Sequence, residues 1–177
     1  QEEVGYIGEG IILEATSLGL NTCWVAGFFK PERVASLIEI KDNERVLAVT
    51  PVGYANEFES LGERLMTGFG LTHRRLPLSK LISGARVDNL PEWAQASLEA
   101  ARLAPSAVNR QPWGFAVDGS GITVFLRTSG PDFNVSKRLD CGIAMLHIEV
   151  AALHYGCIGK WKFLQYPNVA KFVVNSY

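Results

Sequence analysis

From Leu103 to Phe115 the chain reads Leu-Ala-Pro-Ser-Ala-Val-Asn-Arg-Gln-Pro-Trp-Gly-Phe, the stretch densest in residue types able to do chemistry. Proline fixes φ near −65°, so Pro105 and Pro112 stiffen the backbone between them. The Ser106 hydroxyl, the Asn109 amide and exposed backbone N–H groups can thus be aimed in advance at a polar, planar or phosphorylated ligand, at little entropic cost. The same residues equally suit a Pro-rich turn in which Ser106 and Asn109 satisfy only nearby backbone. Residue types alone leave both readings open.

The other reactive types point to less. His147 and His154 are seven apart, not at the i, i+4 spacing of a helical metal pair, and with His73 they read as core or surface residues. Cys23, Cys141 and Cys157 are odd in number and lack metal-ligand spacing, so reduced, buried thiols and no metal are expected. With 17 basic against 18 acidic side chains the formal charge is −1, and no basic field favours nucleic acid. No apolar run approaches the roughly 20 residues that span a bilayer, and residues 1–10 lack the marks of a signal peptide. No membrane partner and a cytoplasmic location are therefore expected. The chain opens without Met and is within an apolar helical pattern by Ile11, so residues are expected before Gln1.

The motif needs elements to hold it. At 177 residues and 47% hydrophobic content, the chain can bury one sizeable core or two small lobes sharing one. Ile11, Ala15 and Leu18 predict a buried helix over 8–18 with Gly19 at its end. An apolar connector follows to Phe28, then a short helix from Pro31 to Ile38, a polar loop over 41–45, and a buried strand over 46–49 that Pro51 terminates. Asp88 or Asn89 can cap a helix striped by Leu90, Ala94, Leu98 and Ala101 and stopping near Leu103. Phe115–Val117 and Ile122–Leu126 flank the turn at 118–121 and predict a half-buried hairpin. Leu139, Ile143, Leu146, Val150 and Leu153 mark a long helix with Gly156 beyond its end, and 171–174 a final strand. The pattern is α+β, with an antiparallel or mixed sheet and flanking helices.

Sliding the chain against itself by 137 residues, the separation of Gly5 and Gly142, superposes Gly5 on Gly142, Ile11 on Ile148, Ala15 on Ala152, Gly19 on Gly156 and Trp24 on Trp161. Five identities in about twenty positions exceed the one or so expected by chance. A repeat used twice suggests two related halves, a pseudo-dimer within one chain, over 1–72 and 73–177, with the irregular stretch from Tyr54 to His73 between them. Trp24 and Trp161 would then fill the interface between halves.

The segment from Ala104 to Trp113 resembles the A-P-S-x-x-N-x-Q-P-W stretch of the nitroreductase family. Leu18 to Phe28 is similar to that family's post-helix loop, and Pro51-Val52-Gly53-Tyr54 to its following strand end. The resemblance implies a nitroreductase-like fold, with FMN held between the A-P-S loop of one half and the post-helix loop of the other. It assigns Pro105, Ser106, Ala107, Asn109 and Gln111 to the cofactor from the second half, and Val25, Ala26 and Gly27 from the first. Arg74 and Arg75 fall about where the family has basic residues near the flavin or its phosphate, although they also suit a solvated basic turn. The second copy of the post-helix loop, Ile158 to Phe163, lacks the small Ala-Gly pair, so one intact site is expected.

The resemblance further implies an NAD(P)H oxidoreductase, with NADH or NADPH as hydride donor and a small-molecule electron acceptor (nitroaromatic, quinone or similar). Turnover would be ping-pong through flavin N5, without a catalytic side chain. A non-catalytic flavin-binding or interaction module, and a dehalogenase or flavin-processing enzyme of the same fold, are the alternatives. The assembly would be a monomeric pseudo-dimer or a homodimer.

Overall fold

The computed structural model describes residues 1–27, 29–55, 74–127, 132 and 135–174. Its elements are α1 (Glu2–Ser17), β1 (Asn21–Thr22), α2 (Pro31–Ala35), β2 (Val52–Gly53), β3 (Ile82–Ser83), α3 (Glu92–Leu103), β4 (Trp113–Asp118), β5 (Gly121–Leu126), α4 (Lys137–His154), β6 (Gly159–Phe163) and β7 (Asn168–Val174), with short 3-10 turns at 78–80, 87–89 and 107–109. Five strands form a mixed sheet in the order β3-β4-β5-β7-β6, parallel between β3 and β4 and antiparallel elsewhere. A separate antiparallel pair joins β1 to β2.

The layers follow from which faces are apolar. Trp113 and Phe115 of β4, Ile122 and Val124 of β5, and Val169, Ala170 and Phe172 of β7 are all fully buried. In the same core lies the small-residue stripe of α3, with Ala94, Leu98 and Ala101 at 0% exposure as its spacing predicts. In α4 both Cys141 and Ala144, and then Ile148 and Ala152, are also buried. This helix packs against the sheet, α3 and α1, so its apolar surface is broader than one stripe. Its later turns bury the face of Met145, Ile148 and Ala152, which leaves Val150 and Leu153, expected on the buried face, about half exposed.

The crossing of α1 and α4 is set by glycine. A Cβ on Gly5 would lie 2.0 Å from the Leu139 carbonyl oxygen, and one on Gly142 would lie 1.8 Å from that of Glu2. These contacts are reciprocal, because Glu2 and Leu139 are separated by the same 137 residues as Gly5 and Gly142. Polar ties flank the crossing. Arg138 grips both Glu2 oxygens at 2.8 Å, Tyr6 donates to Glu149 at 2.7 Å, and Glu9 meets His147 at 2.9 Å.

Several local expectations are corrected. The first helix begins at Glu2, not Gly8, and the second ends at Ala35, not Ile38. Residues 46–49 contribute a single bridge, Val25 to Val49, and pairing resumes beyond Pro51 at Val52–Gly53. A missing proline N–H interrupts a ladder without preventing the next residues from pairing. Neither Asp88 nor Asn89 caps α3, whose N-cap is Pro91. Gly159–Phe163, within the expected loop, is a strand, β6. Of the cysteines, Cys141 is buried, Cys157 half-buried and Cys23 exposed, all as free thiols. Most of the expected linker over 54–73, with His73 and the 72/73 boundary, lies outside the described residues.

Three outcomes follow. Gly142→Ala should destabilise the fold by about 1–3 kcal/mol in urea unfolding, since its methyl collides with backbone. Gly10→Ala, whose Cβ would meet only Leu146 at 3.7 Å, should be neutral or stabilising. The Arg138 guanidinium holds Glu2 down at about 2 from 4.5. That contribution is present above pH 4.5 and lost as pH falls toward 2, so Glu2→Gln should flatten stability across this window, by no more than about 1 kcal/mol for so partly exposed a pair.

Candidate functional site

The loop from Pro105 to Pro112 leaves the C-terminus of α3 and enters β4. Within it Val108, Asn109 and Gln111 adopt left-handed backbone, with φ of 47°, 53° and 45°. Asparagine tolerates that region, but valine there is a true outlier, which surrounding structure must hold in place. The holding groups are visible. Ser106 Oγ accepts from the Gln111 N–H at 3.0 Å, and the Ser106 carbonyl from the Asn109 N–H at 2.9 Å. Asn109 Nδ2 and Gln111 Nε2 both donate to the Arg74 carbonyl, at 2.8 and 3.0 Å, and Gln111 Oε1 accepts from the Leu76 N–H at 2.8 Å.

Arg75 closes the same network. Its Nη1 donates to Asn109 Oδ1 at 2.8 Å, and its Nε and Nη2 to the Leu103 carbonyl at the end of α3, where a cation complements the helix dipole. Burial, with Arg102 nearby, lowers its pKa from the ordinary arginine value. Arg74 is exposed and contributes backbone to the network. The loop's side chains thus bind the 74–76 segment and one another, as in the turn-forming alternative.

The loop is also fastened to the first turn of α4. Asp140 accepts from the Ala107 N–H at 3.1 Å and from Arg110 Nε at 2.6 Å, and Arg110 Nη2 donates to the Val135 carbonyl at 2.8 Å. Burial pushes the Asp140 carboxyl up, against the pull of the Ala107 amide and Arg110. Sequence reading passed over Arg110 and Asp140, since a pair 30 residues apart leaves no local signal.

On the other side of that turn lies a cavity of about 380 Å³. Ala26 and Gly27 form part of one wall and Val135, Ser136 and Leu139 part of another. Arg45, Val46 and Leu47 complete the lining relevant here. A Cβ built on Gly27 would meet no protein atom within 4 Å. Val25 lies just outside, bridged to Val49, and Pro105, Ser106, Ala107, Asn109 and Gln111 are not in the wall. The two loops therefore meet through α4, each against its first turn. Arg45 was not anticipated, as only the folded chain brings it beside Gly27. Among the described residues no cluster could hold a metal.

Residues 1–152 match the family described as "Putative TM nitroreductase". The chain belongs to this family. The crystal structure of a putative nitroreductase from Thermotoga maritima superposes with a TM-score of 0.66 at 22% identity, over 99% of this chain and 65% of that one. At that identity the likeness concerns the fold, which is nitroreductase-like, with mixed α+β content and a helix-flanked sheet. The chain spans about 65% of the length of that structure. No curated protein matches. No described helix is long and apolar enough to cross a membrane.

Arg110→Ala should cost about 3–5 kcal/mol in denaturant unfolding, because it strands a carboxylate whose side chain is 2% exposed. Adding Asp140→Asn should recover part of that loss, the coupling expected of contacting residues.

Proposed function

We propose that the chain is an FMN-dependent NAD(P)H oxidoreductase that reduces nitroaromatic, quinone or similar conjugated acceptors by ping-pong hydride transfer through flavin N5. The observation carrying this reading is the cavity beside Gly27. It is mainly apolar, large enough for a planar ring, and open where a side chain would otherwise project. The residues fit an isoalloxazine in kind: Ala26 and Gly27 offer close backbone approach, Leu47, Val135 and Leu139 apolar faces, and Arg45 positive charge. FMN would supply the capacity to accept and pass on a hydride.

The chain's own part is binding and electrostatic. Backbone at 25–27 would border the ring, and Arg45 would favour the negative charge that develops on reduction. Pro105, Ser106, Ala107, Asn109 and Gln111 would act as one rigid unit, keeping α4's first turn and the 74–76 segment in register. Arg74, whose backbone is held by this loop, would offer an exposed cation to a phosphate, while Arg75 would serve through Asn109. Strained, over-determined backbone of this kind clusters at functional sites.

We infer also that the halves are related by duplication, 1–72 and 73–177. The reciprocal glycine contacts support this, as does the recurrence of an antiparallel strand pair after each of α1 and α4. A second reading, flavin held without turnover, draws on the consumption of the Ser106, Asn109 and Gln111 side chains by internal bonds.

Purified protein titrated with FMN should develop a bound-flavin spectrum that NADH or NADPH bleaches anaerobically and a quinone restores. Bound flavin that neither nucleotide bleaches selects the second reading, and no binding defeats both. Gly27→Val should weaken FMN binding at least about tenfold, roughly 1.4 kcal/mol, with stability unchanged, because its side chain enters the cavity alone. Wild-type affinity in that variant would remove Gly27 from the site.

A further inference from the structure

Two carboxylates at the α1–α4 interface have matching indole partners and different second partners. Trp24 Nε1 donates to Glu9 Oε2 at 2.7 Å, and Trp161 Nε1 to Glu149 Oε2 at 2.7 Å. Each tryptophan comes from the segment following its carboxylate's own helix. Glu9 is 2% exposed and fully engaged, since its Oε1 meets His147 Nε2 at 2.9 Å. Glu149 is half-buried, and its other donor, the Tyr6 hydroxyl, also uses Oε2, at 2.7 Å. Among the described residues nothing bonds Glu149 Oε1.

Glu149 forms part of the wall of a second cavity of about 380 Å³, with Tyr6, Ile7, Met145, Trp161 and Phe163. It shares no residue with the cavity beside Gly27. Glu3 and Lys160 also border it, both exposed, so two carboxylates against one ammonium leave the lining net negative. Glu149 is the half-buried charge of the lining, set among aromatic and aliphatic side chains. The two donors on Oε2 fix the carboxylate's orientation before any ligand arrives, which lowers the entropic cost of binding. Tyr6 remains a donor, because burial and the Glu149 carboxylate raise its pKa far above the ordinary tyrosine value.

We propose that this cavity binds an organic cation, a ring-bearing or alkylated ammonium whose charge pairs with Glu149 Oε1 and whose apolar part packs on Trp161 and Phe163. An exposed acceptor oxygen beside aromatic faces selects this class over a neutral ligand, since the carboxylate and the ring quadrupoles both attract positive charge. A carboxylate ligand would be repelled by Glu149. The site is independent of the flavin reading and is tested without it.

Calorimetric titration with benzyltrimethylammonium, against benzyl alcohol as a neutral analogue, reads the proposal directly. The cation should bind saturably, at least about tenfold more tightly than the alcohol, with affinity falling as salt rises. Glu149→Gln should abolish most of that preference. Phe163→Ala, at a half-exposed strand position, should weaken the cation several-fold with unchanged thermal stability, and keeps the test valid if Glu149→Gln does not fold. Absence of saturable cation binding, equal affinity for cation and alcohol, or cation affinity unchanged in either folded variant would overturn it.

Discussion

Two helices whose backbones touch carry the rest of this molecule. At Gly5 and Gly142 no side chain stands between α1 and α4, and a single methyl at either position would fall 2.0 Å or less from a carbonyl oxygen. Only at that separation can Arg138 reach Glu2, Tyr6 reach Glu149 and His147 reach Glu9. Among the described residues, those up to 55 add only the β1–β2 pair as sheet, and this crossing joins them to the core. It also decides what lies beside the first turn of α4, namely Ala26 and Gly27 from beyond α1 on one side and the Pro105–Pro112 loop on the other.

That loop shows how polar residues can serve a site without pointing into it. Three non-glycine residues in left-handed conformation would relax if unsupported. Ser106, Asn109, Gln111 and Arg75 supply the support through mutually satisfied hydrogen bonds, a network in which each member limits the freedom of the next. The buried Arg110–Asp140 pair then welds the loop to α4. In the proposed site, rigidity would arise here and contact with the ring would come from the small residues at 26–27.

Much of the fold was legible where the signal is local. The stripe of α3, its stop near Leu103, the hairpin across 118–121 and the left-handed Gly156 behind α4 all rest on periodicity or turn chemistry within a few residues. What was not legible is set at a distance. Val150 and Leu153 were misplaced because the later turns of α4 bury the face of Met145, Ile148 and Ala152 instead. Val46 and Leu47 were expected in a strand yet line a cavity, because pairing with β1 begins beyond Pro51. In the candidate site the motif announced itself by residue type, but the partners of Asn109 and Gln111 lie about 35 residues upstream, and Arg45 enters only through tertiary structure. The structure shows the first turn of α4 lying between the two loops that the family resemblance singles out.

The central claim is that both loops and the turn between them respond to one flavin. Hydrogen–deuterium exchange with and without FMN measures this most directly. The account predicts slowed exchange on binding in peptides covering 25–27, 105–111 and the first turn of α4 together. Flavin binding that protects only one loop, or protects a surface remote from α4, would contradict it.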